Sequence, residues 1–346
     1  MRIKLVLIQQ LHVIDNMSVF APSIVNLWKT IESYGIDPAP LFDEQGIRLT
    51  LPIDPCLRLS YEKVDQIRAA AVDATGDEAF GLRAAGAYLP SQLGALGYAW
   101  QASLTLKKAC LRLERFVRIV NDKARVLVED QDSSMVVTLK LDLESANAWV
   151  RDVGGLALVT RMCRMVYGEG FRLQTVDFKH AEPADLQPYF EFFGCHLRFN
   201  QTENQLWIPS SLADEILSGA NPELALLNDQ VVTRRLAKID RGDIVARVRA
   251  VLLDQLPGGE ISDDAVAAEL HMSVRTLHRK LGAVNSSFKV ELAEMRRNLA
   301  EQYILDNSLT LTEISMLLGF SEPSSFSRAF KNWTGSTPTE ARQARQ

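Results

Sequence analysis

Arg275 and Arg279 stand four residues apart in the stretch Val274–Leu281, which also holds Thr276, His278 and Lys280 and contains no acid. On a helix, residues four apart project side by side. An arginine fork presents donors that match the edge of a guanine or the oxygens of a phosphate. Further along, Ser324, Ser327, Arg328 and Lys331 fall at i, i+3, i+4 and i+7, which makes a second polar face. The chemistry these two faces offer is hydrogen bonding and charge pairing with a nucleic acid. The solvated face of an ordinary surface helix has the same composition, so the elements that precede them have to decide.

Those elements are one device written twice. Val266, Ala267, Leu270, Met272 and Ser273 run into Val274–Leu281, and 48 positions later Ile314, Ser315, Leu318, Phe320 and Ser321 run into Glu322–Trp333. Each copy reads as a short amphipathic helix, a tight break and a second helix opened by a hydroxyl N-cap, the pattern of a helix-turn-helix. In the first copy Val274, Leu277 and Leu281 face inward at helical spacing, which leaves Arg275, Thr276, His278 and Arg279 outside. In the second, Phe326, Phe330 and Trp333 make the inward stripe. Gly319 sits where a turn needs a positive φ, and Pro323 lies in the first helical turn, where its missing donor does no harm.

Between the two units, Ser286 to about Asp306 reads as one helix burying Phe288, Leu292, Met295, Leu299, Tyr303 and Ile304. About twenty residues at 1.5 Å each span roughly 30 Å, and successive major-groove faces lie about 34 Å apart. Such a linker holds two recognition helices in adjacent turns of one duplex, so a single chain reads a bipartite site.

The arrangement resembles the DNA-binding domain of the AraC/XylS family of bacterial transcription regulators over about the last hundred residues. The stretches that carry it are LTEISMLLGFSEPSSFSRAFKNWTGSTP at Leu311–Pro338, MSVRTLHRKL at Met272–Leu281 and MRRNLAEQYI at Met295–Ile304. The resemblance implies that both helices enter the major groove of double-stranded DNA and that the protein recruits or repositions RNA polymerase, usually as an activator. It places base reading on Ser273, Arg275, Thr276 and Arg279, and on Ser324, Ser325, Ser327 and Arg328. Two positions depart from the family pattern: Ser315, where alanine is usual, and Ala341, where an aromatic commonly precedes Arg342. Upstream, YGIDPAPL at Tyr34–Leu41, TGDEAFGLRAAG at Thr75–Gly86 and LGALGYAWQASLTLKKA at Leu93–Ala109 resemble the N-terminal domain of the subgroup containing the ornithine-utilisation regulator, rather than the arabinose-binding cupin of the founding member. That implies a sensor without naming its signal.

Composition sets the outer bounds. The 346 residues suffice for two domains with full cores. No run of eighteen apolar residues exists, and MRIKLVLIQQ at the start lacks a cleavage pattern, so neither a membrane span nor a signal peptide is expected and the location expected is cytoplasmic. Cys56, Cys110, Cys163 and Cys195 are scattered, with no metal-ligand spacing, and read as reduced, mostly buried thiols. The C-terminal part, from Asp243 on, holds twelve Lys and Arg against thirteen Asp and Glu, so a basic domain is absent. Charge is segregated instead: Asp263, Asp264 and Glu269 precede the acid-free stretch.

The expected fold is multidomain: an α+β N-terminal sensor over 1–230, a linker over 231–242, and an all-α domain over 243–346 with helix-turn-helix units at about 262–282 and 311–334. In the sensor, Val64–Ala74, Leu104–Val120 and Ala146–Tyr167 read as helices. Arg125–Val128, Met135–Leu143, Leu173–His180, Leu197–Phe199 and Gln205–Ile208 read as strands. His180 with Glu182, and His196 beside Cys195, are lone pairs better read as structural. Gly94 and Gly97 make no phosphate loop, since no lysine-serine pair follows. Tyr98, Trp100, Phe116 and Trp149 are candidates to line an apolar effector pocket, with plain core as their other reading. No catalytic set, metal or cofactor is expected. An enzyme carrying a DNA-binding module would need a metal-ligated cysteine cluster, which the dispersed cysteines oppose. The partners expected are DNA, RNA polymerase and a small-molecule effector, with homodimerisation through the N-terminal half left open as an effector-independent alternative.

Overall fold

The computed structural model describes residues 18–49, 53–54, 57–141, 148–239, 243–256, 261–306 and 309–343. Cys56, the start of the chain, and the ends of two of the expected elements (142–143 and 146–147) lie outside the described residues.

The chain opens with β1 (Ser18–Phe20), α1 (Val25–Ser33) and α2 (Ala39–Glu44). It continues through β2 (Arg58–Ser60), α3 (Tyr61–Thr75), α4 (Phe80–Gly86), α5 (Ala95–Gln101) and α6 (Leu106–Phe116). A 3-10 turn at Val117–Ile119 leads into a hairpin of β3 (Ala124–Gln131) and β4 (Ser134–Leu141). Then come α7 (Ala148–Tyr167), β5 (Thr175–Asp177), α8 (Gln187–Phe193), β6 (His196–Arg198), β7 (Asn204–Pro209) and α9 (Ser210–Ala213). The main sheet runs β3-β4-β7-β5-β6, antiparallel except for the parallel pair β5–β6. Met135, Val136 and Val137 of β4 are fully buried, and the long helix α7 packs against this sheet with Val153, Leu156, Ala157 and Cys163 in the same core. A smaller apolar cluster gathers α1, α3 and α4 around Ile31, Ile67 and Phe80. Gly81 lets α4 meet α7: a Cβ there would stand 2.3 Å from the Val150 carbonyl oxygen. The sensor is therefore α+β, and each of the five expected strands is present, Leu173–His180 shortened to three residues.

The expected linker is mostly helix. α10 (Pro222–Ile239) is continuous through it, and Val232 and Leu236 sit in the sensor core. Leu226 of the same helix sits in the core of the C-terminal part. Only 240–242, which includes Arg241 and Gly242, falls outside the described residues.

The C-terminal part is all helix: α11 (Ile244–Gln255), α12 (Asp263–Glu269), α13 (Val274–Gly282), α14 (Phe288–Tyr303), α15 (Leu311–Leu317), α16 (Pro323–Thr334) and α17 (Pro338–Gln343). The residues expected inside are inside: Leu277, Leu281, Phe326 and Phe330 are buried, and Val274 and Trp333 are half-buried. The helix α14 has 16 residues and so spans about 24 Å, shorter than the roughly 30 Å expected of it.

Candidate nucleic-acid interface

Each reader unit begins with a capped helix. The Ser262 hydroxyl accepts from the Ala265 backbone N–H at the head of α12 (3.2 Å), and Thr310 with Glu313 forms a reciprocal capping box on α15. The breaks that follow match bond for bond. Leu270 N–H donates to Val266 (3.0 Å) and Met272 N–H to Ala267 (2.9 Å); Leu318 N–H donates to Ile314 (3.1 Å) and Phe320 N–H to Ser315 (3.0 Å). Gly319 takes φ +66°, as its place in the turn requires. Its counterpart is His271, at φ +54°, a left-handed residue that the sequence pattern gave no reason to expect.

The second helices begin differently. Ser273 caps α13 as expected, accepting from Thr276 N–H at 3.2 Å. Ser321 does not cap α16. The N-cap is Glu322, with no side-chain capping bond, and Pro323 follows at the first helical position. The reason is a single extra residue in the second turn: buried Leu277 and Leu281 correspond to buried Phe326 and Phe330 at a spacing of 49, not 48.

An arginine from the preceding helix secures each turn. Arg296 of α14 donates to the carbonyls of Leu318 (2.8 Å) and Gly319 (2.7 Å) while its guanidinium lies over the Phe320 ring. Arg247 of α11 donates to Leu270 at 3.3 Å. Sequence reasoning treated α14 as a spacer; it also supplies the clamp of the second unit. Two adjacent arginines in MRRN were the available signal.

Of the residues expected to face DNA, Ser273, Arg275, Arg279, Ser324, Arg328 and Lys331 are exposed, and Thr276, Ser325 and Ser327 are half-buried. The Ser273 hydroxyl also lies 2.9 Å from that of Thr276, so both are engaged in the cap. His278 is held by Asp263 of α12 at 2.9 Å. Among the described residues Arg328 reaches only Ser325, at 3.5 Å. Arg275, Arg279 and Lys331 form no ion pair among the described residues. Each second helix thus presents exposed cations that form no ion pair among the described residues, with Glu340 the carboxylate that feels the charge of Lys331.

The four candidate pocket aromatics are not brought together. Trp100 is buried, its indole N–H donating to the Met162 carbonyl (3.1 Å). Phe116 is core, Trp149 is half-buried with its ring 5.8 Å from that of His180, and Tyr98 is exposed. Their helical spacing was that of packing residues. The cavities lie elsewhere. One of about 280 Å³ sits inside the sensor between α1, α4, α7 and β4. Another of about 610 Å³ opens between α6 and α10 of the sensor and α14 and α16 of the reader. His180 is packed among Trp149, Phe178, Tyr189 and Phe199, and burial lowers its pKa. Among the described residues no group of His, Cys, Asp or Glu could hold a metal, and no helix is long and apolar enough to cross a membrane.

Residues 35–217 match the family model described as the arabinose-binding domain of AraC transcription regulator, N-terminal, and residues 266–344 match a helix-turn-helix domain. The chain belongs to the AraC family of transcription regulators. It is 30% identical over 328 residues to the ornithine utilization regulator of Pseudomonas aeruginosa, covering 94% of this chain and 95% of that protein. It is 30% identical over 187 residues to the HTH-type transcriptional regulator VirS of Mycobacterium tuberculosis, covering 54% of this chain and 55% of the other. The crystal structure of transcriptional regulator CdpR from Pseudomonas aeruginosa aligns over 92% of this chain and 98% of its own, with a TM-score of 0.47 and 20% identity. The sequence pointed away from an arabinose-binding cupin, whereas the matching N-terminal model carries an arabinose-binding description. The domain beneath that description is the mixed five-stranded sheet above, with β3 and β6 at its edges. These relatives are regulators rather than enzymes, and this AraC-family chain is a DNA-binding transcription regulator.

Proposed function

We propose that this regulator reads a bipartite DNA site with α13 and α16 and activates transcription through RNA polymerase in response to a small molecule held by its N-terminal domain. The observation that carries DNA reading is the pair of exposed cationic faces, Arg275 and Arg279 on α13 and Arg328 and Lys331 on α16, which form no ion pair among the described residues. Arginine there supplies base-edge specificity, and lysine anchors on phosphate. Ser324, Ser325 and Ser327 provide shorter donors on the same helix. Ser273 and Thr276 shape the N-terminal end of α13, which approaches the groove first. Effector control is supported by two cavities that the sensor lines wholly or in part, of about 280 and 610 Å³, the smaller just below and the larger within the size range of small-molecule sites.

A second reading has its own observation. Leu224, Leu227 and Val231 form an exposed apolar stripe along α10. An exposed apolar face of this kind marks an interaction surface, which suits a regulator gated by dimerisation instead of by a metabolite. Sedimentation at increasing concentration separates the two.

The principal test is to sequence the genomic fragments that the purified chain retains. A shared motif of two half-sites about one helical turn apart is expected. Fragments that share no motif, or a single half-site, contradict the reading.

A further inference from the structure

The junction cavity of about 610 Å³ is walled by both halves of the molecule. Four cations line it, Lys108, Arg112, Arg115 and Arg297, against two carboxylates, Asp229 and Glu301. The carboxylates are already in use. Asp229 takes Arg112 through both oxygens (3.1 and 3.0 Å), and Glu301 takes Lys108 (2.7 Å) and Arg297 (2.9 Å). Arg115 is the cation left over. Its Nε is closed off from water without a hydrogen-bond partner, and its terminal nitrogens make no hydrogen bond among the described residues. Its guanidinium rests on the Phe116 ring, 4.7 Å from the centroid. Burial, with Arg249 nearby, pushes its pKa down to about 10 against the opposing pull of the Asp229, Glu294 and Glu291 carboxylates, so it stays charged at neutral pH. This half-buried guanidinium makes no hydrogen bond among the described residues and so keeps its donors for a ligand in the cavity. Leu111, Leu226, Leu253, Met295 and Trp333 give the wall an apolar side, and Gln230, Thr233, Asn298, Gln302, Thr334 and Ser336 add uncharged polar groups.

We propose that this cavity is a binding site for a small organic anion, a carboxylate on an apolar body, with Arg115 as its charge partner. The proposal rests on the reading of the protein as an effector-controlled regulator and names the effector's class and place. The carboxylate meets the Arg115 fork and the apolar body lies against Leu111, Met295 and Trp333. Because α6 and α10 form one wall and α14 and α16 the other, a bound anion favours the arrangement in which both walls are in contact. It thereby acts on the reader by its differential affinity for that arrangement. Arg115 does not touch DNA in this scheme; it holds the ligand.

The test uses the full chain and three probes, 3-phenylpropionate, octanoate and the uncharged octanamide, with binding read by calorimetry. At least one carboxylate is expected to bind, and octanoate at least tenfold more tightly than octanamide. R115M is expected to remove that preference while the variant stays folded at the temperature of the assay. A purely structural arginine would instead lower the melting temperature and leave the preference intact. L111W, which occupies the cavity without altering its charge, is expected to abolish binding and serves if R115M folds poorly. Failure of both carboxylates to bind, octanamide binding as tightly as octanoate, or undiminished octanoate binding by R115M or L111W overturns the proposal. DNA retention by the parent, measured on the same preparation, keeps the two conclusions apart. Intact DNA binding without anion binding removes the cavity site alone, whereas loss of DNA retention removes the reading beneath it.

Discussion

At the scale of single residues, the side of each helix proposed to face DNA is set by what its neighbours leave unpaired. Asp263 engages His278 across the first turn, and Arg275 and Arg279 form no ion pair among the described residues. Replacing either arginine by alanine is expected to cost about 1–3 kcal/mol at a cognate site and to relax preference at particular base pairs. Competition binding against a randomised site measures both, and an unchanged sequence preference in both variants would show that α13 does not read bases. A second residue tells against its own position. Ser315 is buried in α15 and its hydroxyl has no partner, whereas the first unit has Ala267 at the matching place. Burying an unsatisfied hydroxyl is unfavourable, and alanine is also the better helix former. Ser315→Ala should therefore raise the unfolding free energy by about 1 kcal/mol in a urea titration; a loss of stability would mean that the hydroxyl is bonded. The resemblance to the family already marked this position as unusual, but the missing partner could be seen only in three dimensions.

At the scale of elements, periodicity made the reader helices legible because their buried faces are simple: Leu277 and Leu281 in one, Phe326 and Phe330 in the other. Where the reading failed, the failure was one residue wide. A constant shift of 48 put Ser321 at the head of α16, but the extra residue in the turn moves the cap to Glu322. Its side chain makes no capping bond, so one donor of the first turn is left to solvent. Glu322→Ser restores the hydroxyl that the first unit has at Ser273, and is expected to stabilise α16 by about 0.5–1 kcal/mol. Slower amide exchange at Ser324 and Ser325 would report it; unchanged exchange at both would show that the glutamate caps the helix as well as a hydroxyl does. His271 was illegible for a related reason, since a positive φ at a non-glycine residue leaves no compositional mark. The sensor strands were read correctly because β4 and β7 alternate or are richly β-branched, whereas the candidate aromatics, left between pocket and core by the sequence, lie apart from one another. Aromatics at helical spacing look alike whether they line a cavity or fill a core, and only packing separates buried Trp100 from exposed Tyr98.

At the scale of the whole molecule, the division into sensor, linker and reader is the feature that a linear reading distorts most. A stretch with Arg234, Arg235 and Lys238 before Arg241-Gly242 has the composition of a connector, yet through Ile239 it is the second half of α10. That helix serves two cores at once, with Val232 and Leu236 in one and Leu226 in the other, while Ala246 of α11 packs back into the sensor. Lys108 to Glu301 and Arg118 to Asp243 bind the halves further, at 2.7 and 2.8 Å. Two such pairs, one exposed and one part-buried, contribute modestly, so the apolar interlock carries most of the coupling. It follows that the reader's stability depends on a residue outside its own sequence limits. Leu226→Ala removes a side chain from the reader core and is expected to cost about 2–4 kcal/mol. Because the loss falls at the junction, calorimetry of the parent should show one coincident transition, and the variant should show the reader unfolding ahead of the sensor. Hydrogen exchange locates the effect: protection should fall in α11 and α14 of the variant while β4 and α7 stay protected. If protection in α11 and α14 is unaltered, Leu226 stabilises the sensor alone, and a signal passing between the halves would have to travel by a route other than α10.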